Sequence, residues 1–377
     1  KVSRAVRSNF VRIRACTEKL RNLLGPALAA VLFLAAAPVL QAKELVKVPM
    51  GWMNENETFA AWLAHERGWD KEEGLDFEVN YFNSGMDIVN ATPSGSWVVA
   101  GNGAVPGVWG GLRYDTYVIA IGNDESYTNG VLVRPDSPIA KVKGWNKDFP
   151  DVLGSPETVR GKTFLCTTMS SPHMALSSWL KVLGLTDKDV VIKNMDQPQA
   201  LGAFENGTGD GVALWAPHLY VGEAKGWRLA GNIRNCGQTL PIVIQADKKY
   251  ADAHPEVITG FLRAYMRGIH MLKNEPAESL VPLYRRFFMD WAGQQYTPEV
   301  ALKDIKTHPV FNYEEQLRLL DNSKGMSEAQ QWQRYLAAFF TQLGRLTPEE
   351  YERVKNADYV TDKFMKMVKT PIPPYAK

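Results

Sequence analysis

From residue 45 onward the chain alternates short apolar runs with segments of helical periodicity. Residues 45–50 (LVKVPM) alternate apolar and polar positions and stop at Gly51, the pattern of a strand running into a turn. The spacing of Phe59, Trp62, Leu63 and Trp69 predicts a helix over 58–69, closed by Gly68 and Gly74. Strands are predicted at 75–82, 97–100, 117–121 and 130–134. A helical turn at 87–91 and a turn at 101–107 that opens a further helix separate them. The same order then recurs: strand 162–166, helix 172–183, strand 190–194, short helix 198–205, strand 212–215. A βαβ alternation of this kind predicts mostly parallel sheets covered by helices on both faces.

The repeat sets the organisation. From Gly74-Leu75 to Pro106 and from Gly184-Leu185 to Pro217 the spacing is nearly equal, which points to two similar α/β lobes and not to a solenoid. The segment 137–157, with Pro138, Gly144, Pro150, Gly154 and Pro156, reads as a surface excursion. One more strand is predicted at 240–245. From about 254 to 354 helical periodicity dominates, and these helices are expected to pack back onto the first lobe. Crossings between lobes are expected near 131–134 and 237–243. The domain boundaries are then 43–133 for the first part of lobe 1, 134–239 for lobe 2, and 240–377 for the completion of lobe 1 and the C-terminal helices.

Residues 1–42 differ from the rest. Lys1, Arg4, Arg7, Arg12, Arg14, Lys19 and Arg21 stand against the single acid Glu18, an apolar run follows, and Leu40-Gln41-Ala42 resembles a small-residue cleavage site. This is the pattern of a secretory signal peptide cleaved near Ala42, so the mature protein is expected to be exported. The whole chain carries 43 Lys and Arg against 41 Asp and Glu. Taking away the seven bases and one acid of the leader leaves 36 against 40, a net charge of −4, which excludes a nucleic-acid binder that works through a basic surface. Of three cysteines, Cys16 lies in the leader. Cys166 and Cys236 remain as a pair in an oxidising compartment, where a disulfide and two free thiols both stay open.

Catalytic motifs fail on inspection. No G-x-S-x-G occurs, and His65-Glu66 is followed by Trp69 where H-E-x-x-H needs histidine. Gly161-Lys162-Thr163 enters a strand where a phosphate loop would open a helix, and Gly101-Asn102-Gly103 meets Pro106 where a dinucleotide fingerprint has its third glycine. No cofactor and no metal site is expected.

Polar and aromatic residues gather instead at the carboxyl ends of the predicted strands, where open α/β sheets bind ligands. These are Trp52-Met53-Asn54-Glu55-Asn56-Glu57, the loop 102–106, Asn123-Asp124-Glu125-Ser126-Tyr127, Thr167-Thr168-Met169-Ser170-Ser171-Pro172-His173, and Trp215-Ala216-Pro217-His218. Hydroxyl residues before Pro172 present free backbone N–H groups and a helix dipole to an anion, and also suit plain helix capping. Glu55, Glu57, Asp124 and Glu125 could hold an ammonium or guanidinium group or form a solvated rim. Trp52, Trp109, Tyr127 and Trp215 could wall a cleft, although Trp109 suits a core equally well. His173 and His218 are candidate hydrogen-bond donors, with no nucleophile or metal partner at a suggestive spacing.

Taken in order, Gly51 with its polar loop, His65-Glu66-Arg67-Gly68-Trp69-Asp70-Lys71-Glu72-Glu73-Gly74-Leu75, Phe82-Asn83-Ser84-Gly85, Gly101-Asn102-Gly103-Ala104-Val105-Pro106, Asn129-Gly130-Val131-Leu132-Val133-Arg134, Val159-Arg160-Gly161-Lys162, Leu183-Gly184-Leu185 and Ala213-Leu214-Trp215-Ala216-Pro217 resemble the periplasmic substrate-binding proteins of the taurine, nitrate and sulfonate type. The resemblance covers about 45–245. It implies an α/β type II periplasmic-binding-protein fold, two lobes joined by a two-strand hinge, that carries a small solute to an ABC importer permease in the inner membrane. It further implies a monomer in the periplasm, without enzymatic activity, and ligand contacts from 53–57, Gly103-Ala104, 168–173 and 215–217. The family also includes binders of pyrimidine precursors and a branch, marked by a cysteine-rich motif missing here, that makes the thiamine pyrimidine. The ligand is expected to be a zwitterion such as taurine or an alkanesulfonate. The alternatives are a cationic nitrogen compound, a pyrimidine precursor, or an enzyme acting on a small heterocycle in the same cleft.

Overall fold

The computed structural model describes residues 44–369; the expected leader over 1–42 lies outside the described residues. Two five-stranded sheets carry the fold. The first contains β1 (Val46–Trp52), β2 (Leu75–Tyr81), β3 (Val99–Gly103), β4 (Thr116–Asp124) and β10 (Pro241–Asp247), in the order β2-β1-β3-β10-β4. The second contains β5 (Asn129–Val133), β6 (Thr163–Cys166), β7 (Val191–Asn194), β8 (Gly211–Trp215) and β9 (Arg228–Asn232), in the order β7-β6-β8-β5-β9. The shared order is the structural form of the repeat visible in the sequence.

Both sheets are mostly parallel, as expected, with four of five strands running the same way and one reversed. In the first, β1 pairs in parallel with β2 and β3, whereas β10 runs antiparallel to β3 and β4. In the second, β6 is parallel to β7 and β8, and β5 is antiparallel to β8 and β9. One strand in each sheet is therefore reversed, and in both cases it is the first strand after the chain changes sheet. A chain that leaves a carboxyl strand end enters the other sheet from the same side, so its next strand must run away from that side.

The crossings are 125–128 and 233–240, the first a few residues earlier than the pattern suggests, because an apolar strand such as β5 does not disclose which sheet it joins. The two crossings are tied to each other. The Glu125 amide donates to the Leu240 carbonyl at 2.8 Å, and Arg234 N to Ser126 O at 2.8 Å. The Leu240 amide donates to Ser126 Oγ at 3.0 Å, and Arg234 pairs with Asp124 at 2.9 Å.

One apolar core joins the first sheet to the C-terminal helices, with Trp52, Phe59, Phe261, Tyr265, Tyr284 and Phe287 buried together. A second core, around Phe164 and Trp179, fills one side of the second sheet. The 137–157 segment belongs to that second core, which corrects its reading as a surface excursion. Ile139, Val152 and Leu153 are buried, Leu153 N donates to Ala230 O on β9 at 2.8 Å, and Trp179 Nε1 donates to Leu153 O at 2.8 Å. Its apolar residues are too sparse in sequence to announce this packing. Among the described residues no helix is long and apolar enough to cross a membrane.

Candidate functional site

Where the carboxyl ends of the two sheets face each other, Met53, Glu55, Gly85, Asn102, Gly103, Pro106, Glu125, Asn129, Ser170, Ser171 and Trp215 line a narrow cavity that leaves only about 10 Å³ to a water-sized sphere. Met53 and Glu55 follow β1, Asn102 and Gly103 end β3, Glu125 lies in the first crossing, Asn129 starts β5, and Trp215 ends β8. Residues from both sheets and from the hinge thus surround one small volume. The backbone comes close at two glycines: a Cβ on Gly103 would lie 2.9 Å from Ser171 Oγ across the cleft, and one on Gly85 would lie 2.2 Å from Asn102 Oδ1.

Four helices begin at this cavity: the short Gly85–Ala91, capped by Ser84, and the three helices Asn56–Glu66, Ala104–Arg113 and Ser171–Val182. The first flanking residues of these three, Glu55, Gly103 and Ser170, all line it, and none makes a side-chain capping bond. Ser170 instead donates its hydroxyl to the Thr167 carbonyl at 2.5 Å. The positive ends of three helix dipoles therefore face the same space.

Against them stand three buried carboxylates. Glu55, Glu57 and Glu125 are 4%, 1% and 3% exposed, and among the described residues no Lys, Arg or His lines the cavity. Burial, then the charges of Glu57 and Glu125, pushes the Glu55 carboxyl well above the ordinary range. Burial pushes Glu57 up to about 7. Glu125 is raised by burial and by Glu57, and a hydrogen bond from Ser171 works in the opposite direction.

The amides around the cavity are fixed by their nitrogen ends. Asn102 Nδ2 donates to Gly85 O at 3.2 Å and to Gln245 Oε1 at 3.0 Å, and Asn129 Nδ2 donates to Glu125 O and Thr128 Oγ1, each at 3.3 Å. Beneath Glu57 a directed chain runs from Asn123 to Asn56 at 3.2 Å, from Asn56 to Tyr284 at 2.8 Å, and from Tyr284 to Asp304 at 2.6 Å. Among the described residues, the buried side-chain oxygens left without a partner in and around this network are Asn54 Oδ1, both oxygens of Glu57, Asn102 Oδ1, Asn123 Oδ1, Glu125 Oε2, Asn129 Oδ1 and Asp304 Oδ1, and the ring nitrogens Trp52 Nε1 and His218 Nδ1 are buried without one as well.

Of the residues singled out in the sequence, Met53, Glu55, Gly103, Glu125, Ser170, Ser171 and Trp215 come together at the cavity. Asn54, Glu57, Ala104, Asn123, Thr168, Met169 and Pro217 adjoin these positions in the chain or in the network without lining it. Trp52 is fully buried, stacked on Tyr265 with ring centroids 6.0 Å apart, so it belongs to the core and not to a cleft wall. Trp109 likewise packs edge-on against Phe340. Tyr127 is half exposed beneath Arg234. His173 is buried with both ring nitrogens engaged, and His218 is buried, which holds it neutral by pulling its pKa down to about 4. Trp215 is set in place by Gln197, whose Oε1 accepts from the Trp215 amide at 2.9 Å.

Gly85 and Asn129 line the cavity without having been selected from sequence, whereas Asn102 and Pro106 lie in the strand-end loop 102–106 that was. Asn129 was readable as the polar opening residue of an otherwise apolar strand. The disulfide left open in the sequence is not formed: Cys166 and Cys236 are free thiols, bonded separately to Thr167 O at 3.3 Å and Asn235 Oδ1 at 3.5 Å. Burial raises both, Cys236 to about 12.

The sequence profile of the family described as NMT1/THI5 like matches residues 56–279. A Brachyspira hyodysenteriae protein named as an ABC transporter periplasmic binding protein is 30% identical over 252 residues, 65% of this chain and 70% of that protein. The taurine-binding periplasmic protein of Escherichia coli is 26% identical over 250 residues, 65% of this chain and 69% of that one. Among solved structures, the periplasmic aliphatic sulphonate binding protein SsuA of Escherichia coli superposes with a TM-score of 0.64 at 17% identity, covering 85% of this chain and 99% of its own.

Proposed function

The chain belongs to the NMT1/THI5-like family, and from the cavity it builds in that fold we propose that it is an exported receptor that captures a small polar solute between its lobes and hands it to an ABC permease. One observation carries this reading: the cavity takes its walls from both sheets and from the hinge at once, so a bound molecule contributes contacts only when the lobes are together. Differential contact of this kind shifts the open and closed populations. A permease that recognises the closed form then reads ligand occupancy. The leader over 1–42 would place the receptor in the periplasm.

The names of the relatives suggest taurine or an alkanesulfonate, and the three uncapped helix ends support an anionic group. The buried carboxylates support a ligand with at least one cationic nitrogen. An enzyme acting in the same cleft is the competing reading. Calorimetric titration of the dialysed protein, followed by recovery and mass analysis of the bound compound, tests it. One-to-one binding with the solute recovered unchanged is expected; a product of altered mass would overturn the receptor.

A further inference from the structure

We infer that the solute of this cavity is a compact cation carrying several N–H donors, of the guanidinium or amidinium class, and not a sulfonate. The inference rests on the receptor reading and names the ligand class for the same site.

Hydrogen-bond supply and demand decide it. Of the buried side-chain oxygens without a partner, Asn102 Oδ1, Asn129 Oδ1 and Glu125 Oε2 belong to residues that line the cavity, and with Glu125 ionised all three are acceptors. They cannot be converted to donors by turning the amides over, because the Asn102 and Asn129 nitrogens already donate to oxygens of the protein. The side-chain donors present are spent within the site: Ser170 on Thr167 O, and Ser171 on Glu125. A buried polar atom without a partner is destabilising, more so when charged, so a ligand that supplies donors recovers much of that penalty.

Charge points the same way. Glu55 and Glu125 line the cavity, with Glu57 adjoining them, and no basic side chain balances them there. A sulfonate would add three acceptors and a negative charge beside carboxyls that burial and their mutual repulsion already push toward the neutral form. A quaternary ammonium would meet the charge and leave the acceptors unpaired. A guanidinium or amidinium meets charge and hydrogen bonding together, and its forked N–H groups match carboxylates and amide oxygens. The helix ends fit this arrangement as well, since their positive poles favour the ionised form of Glu55, Glu57 and Glu125 without using the side-chain oxygens. Trp215 adds an aromatic surface in the wall.

The experiment is calorimetric titration of the full mature protein with guanidinium, acetamidinium, methylammonium, tetramethylammonium, taurine and methanesulfonate, all at millimolar concentration or below. Guanidinium or acetamidinium is expected to bind one per chain and at least 100-fold more tightly than tetramethylammonium, with no measurable heat from methanesulfonate. Glu57→Gln and Glu125→Gln should each weaken that binding at least tenfold; should either fail to fold, the ligand series on the unaltered protein still decides. Tighter binding of taurine or methanesulfonate than of any cation would overturn the ligand class and leave the receptor standing. Equal binding of tetramethylammonium, or binding of no cation at all, would overturn it too. Chemical conversion of a bound amidine would instead overturn the receptor and leave the ligand class intact.

Discussion

The Met169 amide donates to His173 Nδ1 at 3.0 Å, with Met169 held at a φ of +58°, and the far side of the same ring reaches Asp187 Oδ2 at 2.9 Å. Because Nδ1 accepts, the ring proton sits on Nε2 and is given to Asp187, which also accepts from Ser177 Oγ at 2.7 Å. The ring therefore pins the turn that delivers Ser170 and Ser171 to the cavity without touching it. His173→Ala should cost about 1–3 kcal/mol of stability, since it leaves Asp187 and the Met169 amide short of a partner. It should also weaken solute binding about tenfold. Thermal melts and titration check both, and unchanged affinity in a folded variant would remove His173 from the positioning of that turn.

Gly103 has an ordinary backbone conformation, with φ of −57°, so a side chain there meets no local strain. What it meets is Ser171 Oγ, 2.9 Å from the added Cβ and on the other lobe. Gly103→Ala should turn the Ser171 hydroxyl away from Glu125 and weaken binding about five- to tenfold while leaving the melting temperature of the free protein nearly unchanged. Adding Ser171→Gly to Gly103→Ala should relieve the crowding. The resulting double-mutant cycle should be non-additive; strict additivity would mean that the two residues do not meet in the bound form.

A second contact across the cleft lies away from the cavity. Tyr220, on the helix His218–Ala224 that follows β8, donates its hydroxyl to Thr307 Oγ1 at 2.6 Å. Thr307 ends the helix Pro298–Thr307, which packs on Ala277–Ala292 and through it on the first lobe. Lys303 of the same helix pairs with Glu223 and lies 4.4 Å from the centre of the Tyr220 ring. Tyr220→Phe removes one hydrogen bond from the closed arrangement, worth about 0.5–1.5 kcal/mol. Stopped-flow tryptophan fluorescence should show solute dissociation accelerated about three- to tenfold at an unchanged association rate. A change confined to association would contradict a latch that acts after closure.

The parts of the molecule that local pattern governs were legible in the sequence. The alternation at β1, the periodicity of Phe59, Trp62 and Leu63, and the equal spacing in the two lobes together indicated two α/β halves, and the strand-end loops indicated where they face each other. What pattern could not convey is pairing partner and side-chain direction. β9 (RLAGN) is an edge strand with little apolar signal, and β5 reads the same whichever sheet it enters. Trp52 and His173 both lie in strand-end segments, yet one turns into the core and the other into the Met169 turn. Their directions depend on Tyr265 and Asp187, contacts that no local spacing discloses.

The carboxylates make free and bound protein respond to pH in opposite senses. Burial raises Glu57 from 4.5 to about 7, so its contribution to stability is present below the unfolded value and is lost as pH rises through about 7. Glu55 and Glu125 shift in the same direction, as does Asp304 beneath them, held by Tyr284. The free protein should therefore lose stability between pH 5 and pH 8, by up to about 3 kcal/mol from Glu57 alone. Glu57→Gln should flatten that slope. A cationic solute needs the ionised carboxylates, so its affinity should climb over the same interval while the free protein weakens. The rise in melting temperature on adding saturating guanidinium compound, measured at pH 5, 6.5 and 8, should be largest at pH 8. A larger rise at pH 5 would show that the ligand binds the protonated acids and would exclude carboxylate–cation pairing in this cavity.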